Sequence, residues 1–230
     1  MKPYHQIKIQ ECGEPLIKIP LDKFAIELPP PYEKLGAKYG DKNPYCLRKS
    51  VVDSLIKAQY KLQEIKPGWC IKIFDAYRPV SVQQFMVDYT FNQVIKSRKL
   101  ELEKLPQQEQ QKIWEEVYKI WAIPTENPAT PPPHSTGAAV DITLIDEKGK
   151  IVDMGGEIDE LLERSHPAYY ANSNQEYHQK RELLNEIMRG AGFLRHPGEW
   201  WHFSQGDQMW AWQYNQENPK QKVTARYGRV

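Results

Sequence analysis

The sequence lacks several features that would assign the protein to a specialised class. It has only three cysteines, an odd number without a CxxC pair, which argues against a closed disulfide framework. Its formal net charge is only +1, so the charge balance does not favour a nucleic-acid or anionic-membrane partner. It also has no run of about 18 apolar residues, and we therefore expect no transmembrane helix.

The start of the chain lacks the apolar core of a signal peptide, which predicts a soluble, cytoplasmic protein. We expect the cysteines to be buried or reduced thiols. The 230 residues and a hydrophobic content of 40% are typical of a globular protein. We predict a single domain over residues 1–230, with an N-terminal wrapping arm at 1–44 and a C-terminal tail at 205–230, whose basic run 220–229 is interpreted as solvated. The sequence predicts no oligomeric state.

Hydrophobic spacing predicts a mixture of helices and short strands. Apolar residues recur every three or four positions over 47–65, which indicates an amphipathic helix. The same reasoning predicts helices over 81–95, with Ser81 as the N-cap, and over 110–121, a helix opened by a capping box at 173–176, and strands over 69–74, 138–145 and 200–204. Because strands and helices do not alternate regularly, we predict an α+β fold, a single domain with a small antiparallel central sheet packed by helices.

Two short segments hold residue types that bind zinc. His134 and Asp141 lie seven positions apart around Gly137, and Glu199 and His202 lie in the second segment. Two imidazoles and one carboxylate occupy three positions of a tetrahedral zinc site and leave the fourth for water. We therefore predict His134, Asp141 and His202 as metal ligands. Their spacing is not that of a helical HExxH motif, so the fold must bring them together.

Glu199 is a candidate general base. The charge left on zinc by two neutral imidazoles and one carboxylate lowers the pKa of a bound water to about 7, and a base must then take up its proton. A regular strand would place Glu199 and His202 on opposite faces, so Glu199 must precede the strand or lie at a bulge. The alternative is a surface glutamate without a role in chemistry.

Two other charged residues have both a functional and an ordinary interpretation. Arg78 follows a predicted strand and precedes a proline, which restricts its backbone. Its guanidinium suits an oxyanion that forms on a carbonyl, and the alternative is a salt bridge to Asp75. Asp159 lies in an acidic stretch, where a solvated helix start is the default interpretation.

Five motifs, in this order and spacing, resemble a known enzyme family over roughly residues 45–204. The chain is similar to the zinc D-alanyl-D-alanine dipeptidases of the vancomycin-resistance (VanX) type in peptidase family M15, within the Hedgehog and DD-peptidase group. The motifs are Asp75-Ala-Tyr-Arg-Pro79, His134-Ser-Thr-Gly-Ala-Ala-Val-Asp141, Met154-Gly-Gly-Glu-Ile-Asp159, Glu163-Arg-Ser-His166 and Glu199-Trp-Trp-His202.

The resemblance implies hydrolysis of D-Ala-D-Ala to two D-alanines in cell-wall peptide metabolism. It implies one zinc ion per chain on His134, Asp141 and His202. The substrate is a small dipeptide, and neither a nucleic acid nor a membrane is expected as a partner.

The resemblance also implies roles for three charged residues. Glu199 is the general base, Arg78 is the clamp on the substrate carbonyl, and Asp159 binds the free amino group of the dipeptide. The chain departs from the family at Pro132, where serine is common, and at Ile158, where phenylalanine is usual.

Two alternative functions remain open at this point. One is a DD- or LD-carboxypeptidase that trims peptidoglycan stem peptides, and Asp159 argues against it because it selects a free amino group. The other is a catalytically dead zinc-binding interaction module, against which Glu199 and Arg78 argue.

Overall fold

The computed structural model describes residues 2–230. The helices are α1 (Pro31–Lys34), α2 (Lys49–Ile65), α3 (Val80–Ser97), α4 (Gln107–Ile120), α5 (Gln175–Gly190) and α6 (Gln208–Glu217). The strands are β1 (Leu16–Lys18), β2 (Ala25–Ile26), β3 (Cys46–Arg48), β4 (Cys70–Asp75), β5 (Ala139–Ile145), β6 (Leu194–Arg195) and β7 (His202–Ser204). Short 3-10 helices cover Pro3–Gln6, Leu102–Lys104, Pro133–Thr136 and Glu163–Ser165. The predicted α+β class is confirmed.

A five-stranded sheet with the order β2-β4-β5-β7-β6 organises the chain, and β1 and β3 form a separate antiparallel pair. The predicted antiparallel arrangement holds for the pairs β4–β5, β5–β7 and β7–β6. It is wrong at one edge, because β2 pairs with β4 in parallel. A parallel neighbour requires a long crossover connection, and the segment between β2 and β4, which contains α2, provides one.

A β-bulge interrupts the pairing of β4 with β5. Ile73 pairs with Ile142, and the next registered pair is Asp75 with Asp141, so two residues of β4 face one residue of β5. Regular alternation would have left Asp75 on the same face as the buried Ile73. The extra residue turns Asp75 to the face that carries Asp141.

Two hydrophobic clusters enclose the sheet and its helices. The larger one joins the apolar residues of β4, β5 and β7 to α2 and α5. The smaller one joins α3 and α4 around Val87, Phe91 and Trp121, and the half-buried Phe74 of β4 packs against it. Since Phe74 alternates with the core residue Ile73, the two clusters lie on opposite sides of β4. Among residues 2–230, no helix is long and apolar enough to cross a membrane.

The predicted helix boundaries are close to the observed ones, but two predicted caps are wrong. Ser81 lies inside α3, whose N-cap residue is Pro79. The N-cap of α5 is Asn174, whose side chain accepts hydrogen bonds from the amides of Glu176 and Tyr177. Asn174 thus satisfies two of the amides that the first turn of a helix leaves free, as the predicted capping serine would have done.

The two terminal segments contribute more structure than the sequence predicts. Residues 1–44, the predicted arm, supply β1, β2 and α1. The basic run 220–229 is not entirely solvated, because Ala225 and Tyr227 are buried and the Ala225 amide donates to the carbonyl of Lys8. The three cysteines are free thiols, with Cys12 exposed and Cys46 and Cys70 partly buried.

Candidate metal centre and active site

Three acidic or imidazole side chains lie side by side on neighbouring strands. Asp75 of β4 pairs with Asp141 of β5, and Asp141 pairs with His202 of β7. Residues in register on adjacent strands project from the same face. The next residues along the strands, Val140 and Phe203, belong to the core on the other face. The sheet register therefore forms a row of three polar side chains across its face.

The fourth member of the cluster, His134, comes from the 3-10 helix before β5. Gly137 ends this helix with a φ of 70° in the left-handed region, and a Cβ there would lie 2.3 Å from the Leu16 side chain. The Ser135 hydroxyl donates to the carbonyl of Arg78 at 2.8 Å, which joins this helix to the end of β4. The proline-rich residues 122–132 before this helix form neither helix nor strand.

His134, Asp141 and His202 meet in one small volume. All three are buried, and one ligand atom from each lies within 4.8 Å of the others. His134 Nε2 is 3.1 Å from His202 Nδ1 and 3.2 Å from Asp141 Oδ2, and His202 Nδ1 is 2.9 Å from Asp141 Oδ1. Although burial acts to raise it, the two histidines hold the pKa of Asp141 well below its usual range.

The hydrogen bonds around this cluster fit a divalent cation. His134 Nδ1 lies 2.7 Å from the carbonyl oxygen of Ala76, an acceptor only, so Nδ1 carries the proton and Nε2 presents a lone pair to the cluster. A backbone carbonyl behind a ligating histidine is a common arrangement in metal sites. Two imidazole nitrogens and one carboxylate are also a donor set that zinc prefers. His134, Asp141 and His202 are therefore suited to hold zinc.

Glu199 lies beside the cluster, in the turn between β6 and β7. It precedes the strand that begins at His202, as the sequence analysis required. Its carboxylate is buried, with Oε2 3.9 Å from His202 Nδ1 and Oε1 3.4 Å from His196 Nδ1. Burial, together with Asp141 and Asp159, raises the pKa of Glu199 well above its usual range. The interpretation of Glu199 as a surface residue is wrong.

Arg78 is buried and fixed by several acceptors. Nε donates to Asp75 at 2.9 Å and Nη1 donates to Gln83 at 2.9 Å. Nη2 donates to the Tyr32 hydroxyl at 2.9 Å and to Asp141 at 3.2 Å. The salt bridge to Asp75 that the sequence left open thus exists, and Arg78 also lines the pocket at the cluster. Of the five N–H groups of the guanidinium, one on Nη1 is not used by these four contacts.

Asp159 lines the same pocket and is partly buried, so its interpretation as a solvated helix start is wrong. Its backbone adopts a φ of 66°, which is uncommon outside glycine. Its Oδ2 accepts a hydrogen bond of 2.8 Å from the hydroxyl of Tyr32. Burial and the carboxylate of Asp141 raise the pKa of Asp159 to about 7, while Arg78 acts in the opposite direction.

Three further residues belong to the site, and the sequence alone assigned none of them a role in it. Tyr32 connects Asp159 to Arg78, Asp75 supports both Arg78 and His134, and His196 packs edge-on against His202 with ring centroids 5.6 Å apart. Burial, together with His202 and Lys2, lowers the pKa of His196 to about 3, so its ring is neutral. No motif marked Tyr32, because its place in the site depends on the path of the N-terminal segment.

Comparisons with known proteins show the family of this chain. The family model described as peptidase M15, D-Ala-D-Ala dipeptidase, matches residues 27–224. The chain belongs to this family. It is 54% identical to the D-alanyl-D-alanine dipeptidase of Synechocystis sp. over 100% of this chain and 97% of the relative. It is 28% identical to the D-alanyl-D-alanine dipeptidase of Enterococcus faecalis over 67% of this chain and 70% of the relative.

A solved structure of the LD-carboxypeptidase LdcB aligns with a TM-score of 0.47 at 15% identity, over 91% of this chain and 75% of that one. Within this M15 peptidase, the six residues predicted for the site lie inside the matched range, and so does Tyr32. Lys2 and Tyr4 lie outside that range and line the same pocket.

Proposed function

We propose that this M15 peptidase is a zinc-dependent dipeptidase that cleaves D-Ala-D-Ala into two molecules of D-alanine. The observation that carries the proposal is the convergence of His134, Asp141 and His202 beside the buried carboxylate of Glu199. The name shared by the relatives from Synechocystis and Enterococcus supports the choice of substrate. We also propose one zinc ion per chain, a single catalytic domain over residues 1–230, and a cytoplasmic role in cell-wall peptide metabolism.

Zinc held by His134, Asp141 and His202 would act as a Lewis acid and lower the pKa of water to about 7. Glu199 would then take up the proton that this water releases. Its carboxylate, 3.9 Å from His202 Nδ1 at Oε2, is placed to accept a proton from the attacking water. Glu199 could then give this proton to the leaving amino nitrogen.

Arg78 would stabilise the negative charge that develops on the oxygen of the peptide carbonyl. Its planar group is fixed before substrate binds by Asp75, Gln83 and Tyr32, and a fixed donor needs no reorganisation during the reaction. The remaining N–H on Nη1 is available to that oxygen. We therefore assign two contributions to Arg78, namely its positive charge and one N–H donor directed at the substrate.

Asp159 would bind the free amino group of the dipeptide, with Tyr32 holding the carboxylate in place. An ammonium group next to Asp159 lowers the pKa of this carboxyl, so that substrate binding itself favours the charged pair. A substrate with a blocked amino group would leave the partly buried carboxylate without a cationic partner. This contact selects dipeptides over longer chains.

The proposal is tested by supplying purified, zinc-loaded protein with D-Ala-D-Ala and with N-acetyl-D-Ala-D-Ala and measuring the release of D-alanine. We expect rapid release from the free dipeptide and little from the acetylated one. Preference for the acetylated substrate would indicate a carboxypeptidase and contradict the dipeptidase assignment. Bound zinc without turnover of any D,D or L,D substrate would indicate an interaction module.

A further inference from the structure

A zwitterionic dipeptide carries an ammonium at one end and a carboxylate at the other. The proposed function gives the ammonium a partner in Asp159, but it leaves the carboxylate without one. The loop that enters the site before His134 is Pro131-Pro132-Pro133, which offers neither a backbone N–H nor a side-chain donor. Arg78 has one N–H left beside its four protein contacts, and the proposed function assigns that N–H to the peptide carbonyl. A cation elsewhere in the pocket is therefore the candidate partner for the carboxylate.

Lys2 lines the pocket together with Glu199 and His196. Its ammonium acts to lower the pKa of both of these residues, although burial is the larger effect on each. Asp159 lines the same pocket, and it also lines a neighbouring cavity together with Tyr32 and Leu161, which Lys2 does not line.

The backbone next to Lys2 is held firmly. The 3-10 helix Pro3–Gln6 packs on α6, and the ring of Tyr4 in this helix is buried and lines the pocket. Gln208 of α6 donates a hydrogen bond of 2.7 Å to the carbonyl of Ile7, just beyond the 3-10 helix. The N-terminal segment is therefore anchored on both sides of Tyr4, since Lys2 is also bound to the body of the protein.

The ammonium group of Lys2 uses one of its three N–H donors within the protein. Lys2 Nζ donates one hydrogen bond of 3.2 Å to the carbonyl of Tyr118, and it forms no ion pair with an acidic side chain in residues 2–230. An ammonium has three N–H donors, so two remain for a ligand. The bond to Tyr118 fixes the group at the edge of the pocket without neutralising its charge.

We propose that Lys2 binds the carboxylate of the dipeptide and is a specificity-determining residue for substrates with a free C-terminus. This inference rests on the proposed function, because it assumes that a dipeptide occupies the pocket between Asp159 and Glu199. Both Lys2 and the second lysine of the pocket, Lys119, are exposed, and Lys119 provides the alternative cation.

The test compares D-Ala-D-Ala with its C-terminal amide, in which the carboxylate is replaced by a neutral group. Lys2→Ala is expected to lower kcat/KM for the free dipeptide about ten- to hundredfold, because a charge-assisted hydrogen bond is lost, and to leave kcat/KM for the amide unchanged. Lys2→Arg keeps the charge and is expected to retain most of the activity on the free dipeptide. Lys8→Ala, at an exposed lysine of the same segment, is the matched control for both substrates.

Three results would overturn the inference while leaving the proposed function intact. The first is an unchanged kcat/KM of Lys2→Ala on the free dipeptide. The second is an equal loss of kcat/KM in Lys2→Ala on both substrates. The third is a loss on the free dipeptide alone that appears in Lys119→Ala and not in Lys2→Ala. An equal loss would mean that Lys2 only supports the local structure. A wild-type enzyme that releases no D-alanine from either substrate would reject the proposed function, and the inference with it.

Discussion

The metal-binding side of the pocket and its substrate-binding side are built from different kinds of structure. Asp75, Asp141 and His202 lie on three neighbouring strands, joined by backbone hydrogen bonds. Asp159 and Lys2 instead lie outside regular helices and strands. A strand position is fixed by its neighbours, whereas a loop position can change without disturbing the core. We infer that the metal ligands on the sheet, Asp141 and His202, are fixed more tightly than the loop residues that select the substrate.

The largest expected effect concerns the sheet side and follows removal of the metal. A chelator is expected to abolish turnover and to lower the melting temperature, because a cation that binds only the native state stabilises it. Added zinc should restore both. D-alanine release and thermal unfolding measure the two effects. Full activity in a protein shown to contain no metal would contradict the metal site.

The second expected effect separates proton transfer from metal binding. Glu199→Gln keeps the shape of the side chain but cannot accept a proton, and we expect kcat to fall about 10²- to 10⁴-fold. Zinc content, measured by elemental analysis, should stay at the wild-type value. Glu186→Gln, on the exposed surface of α5, is the matched control. Wild-type turnover by Glu199→Gln would require a different base.

The third expected effect concerns the substrate-binding side and is a change in which substrates the enzyme prefers. Asparagine tolerates the left-handed backbone of Asp159 but has no charge, so Asp159→Asn should bind the ammonium less well. We expect kcat/KM for D-Ala-D-Ala to fall about ten- to hundredfold, with little change for the N-acetylated dipeptide. An equal loss on both substrates would assign Asp159 to the chemistry rather than to selection.

The smallest expected effect tests the connection between the two sides. Tyr32 donates to Asp159 and accepts from Arg78, so Tyr32→Phe removes one neutral hydroxyl from both contacts. We expect the stabilisation of the transition state to fall by about 1 kcal/mol, which is roughly a fivefold loss in kcat/KM for D-Ala-D-Ala. Tyr60→Phe, at an exposed tyrosine on α2, is the matched control. A loss as large as that of Glu199→Gln would mean that Tyr32 takes part in the chemistry.

Local patterns in the sequence were sufficient to predict most of the elements. The apolar spacing in α2 directly reflects which face of the helix is buried, and the alternation in β5 separates its core residues from the face that carries Asp141. The irregular entry to β7 was also predictable, because Pro197 and Gly198 precede Glu199. These features depend on residues that are near one another in the chain.

The positions that the sequence did not predict depend on contacts between distant segments. The bulge that reorients Asp75 arises only when β4 pairs with β5, some 65 residues later. Tyr32 reaches Asp159 across 127 positions, and Lys2 reaches the carbonyl of Tyr118 across 116. The parallel pairing of β2 also follows from the path of the chain rather than from any local signal.

By itself, the sequence determined which side chains are available for chemistry and which local elements carry them. Motifs fixed the identity of His134, Asp141, Glu199 and His202 as candidates, because residue type and local spacing limit what each can do. Only the tertiary structure decided that they share one pocket and which residues surround it. The reason is that strand register, a bulge and the course of the N-terminal segment set distances between atoms that the chain holds far apart in sequence.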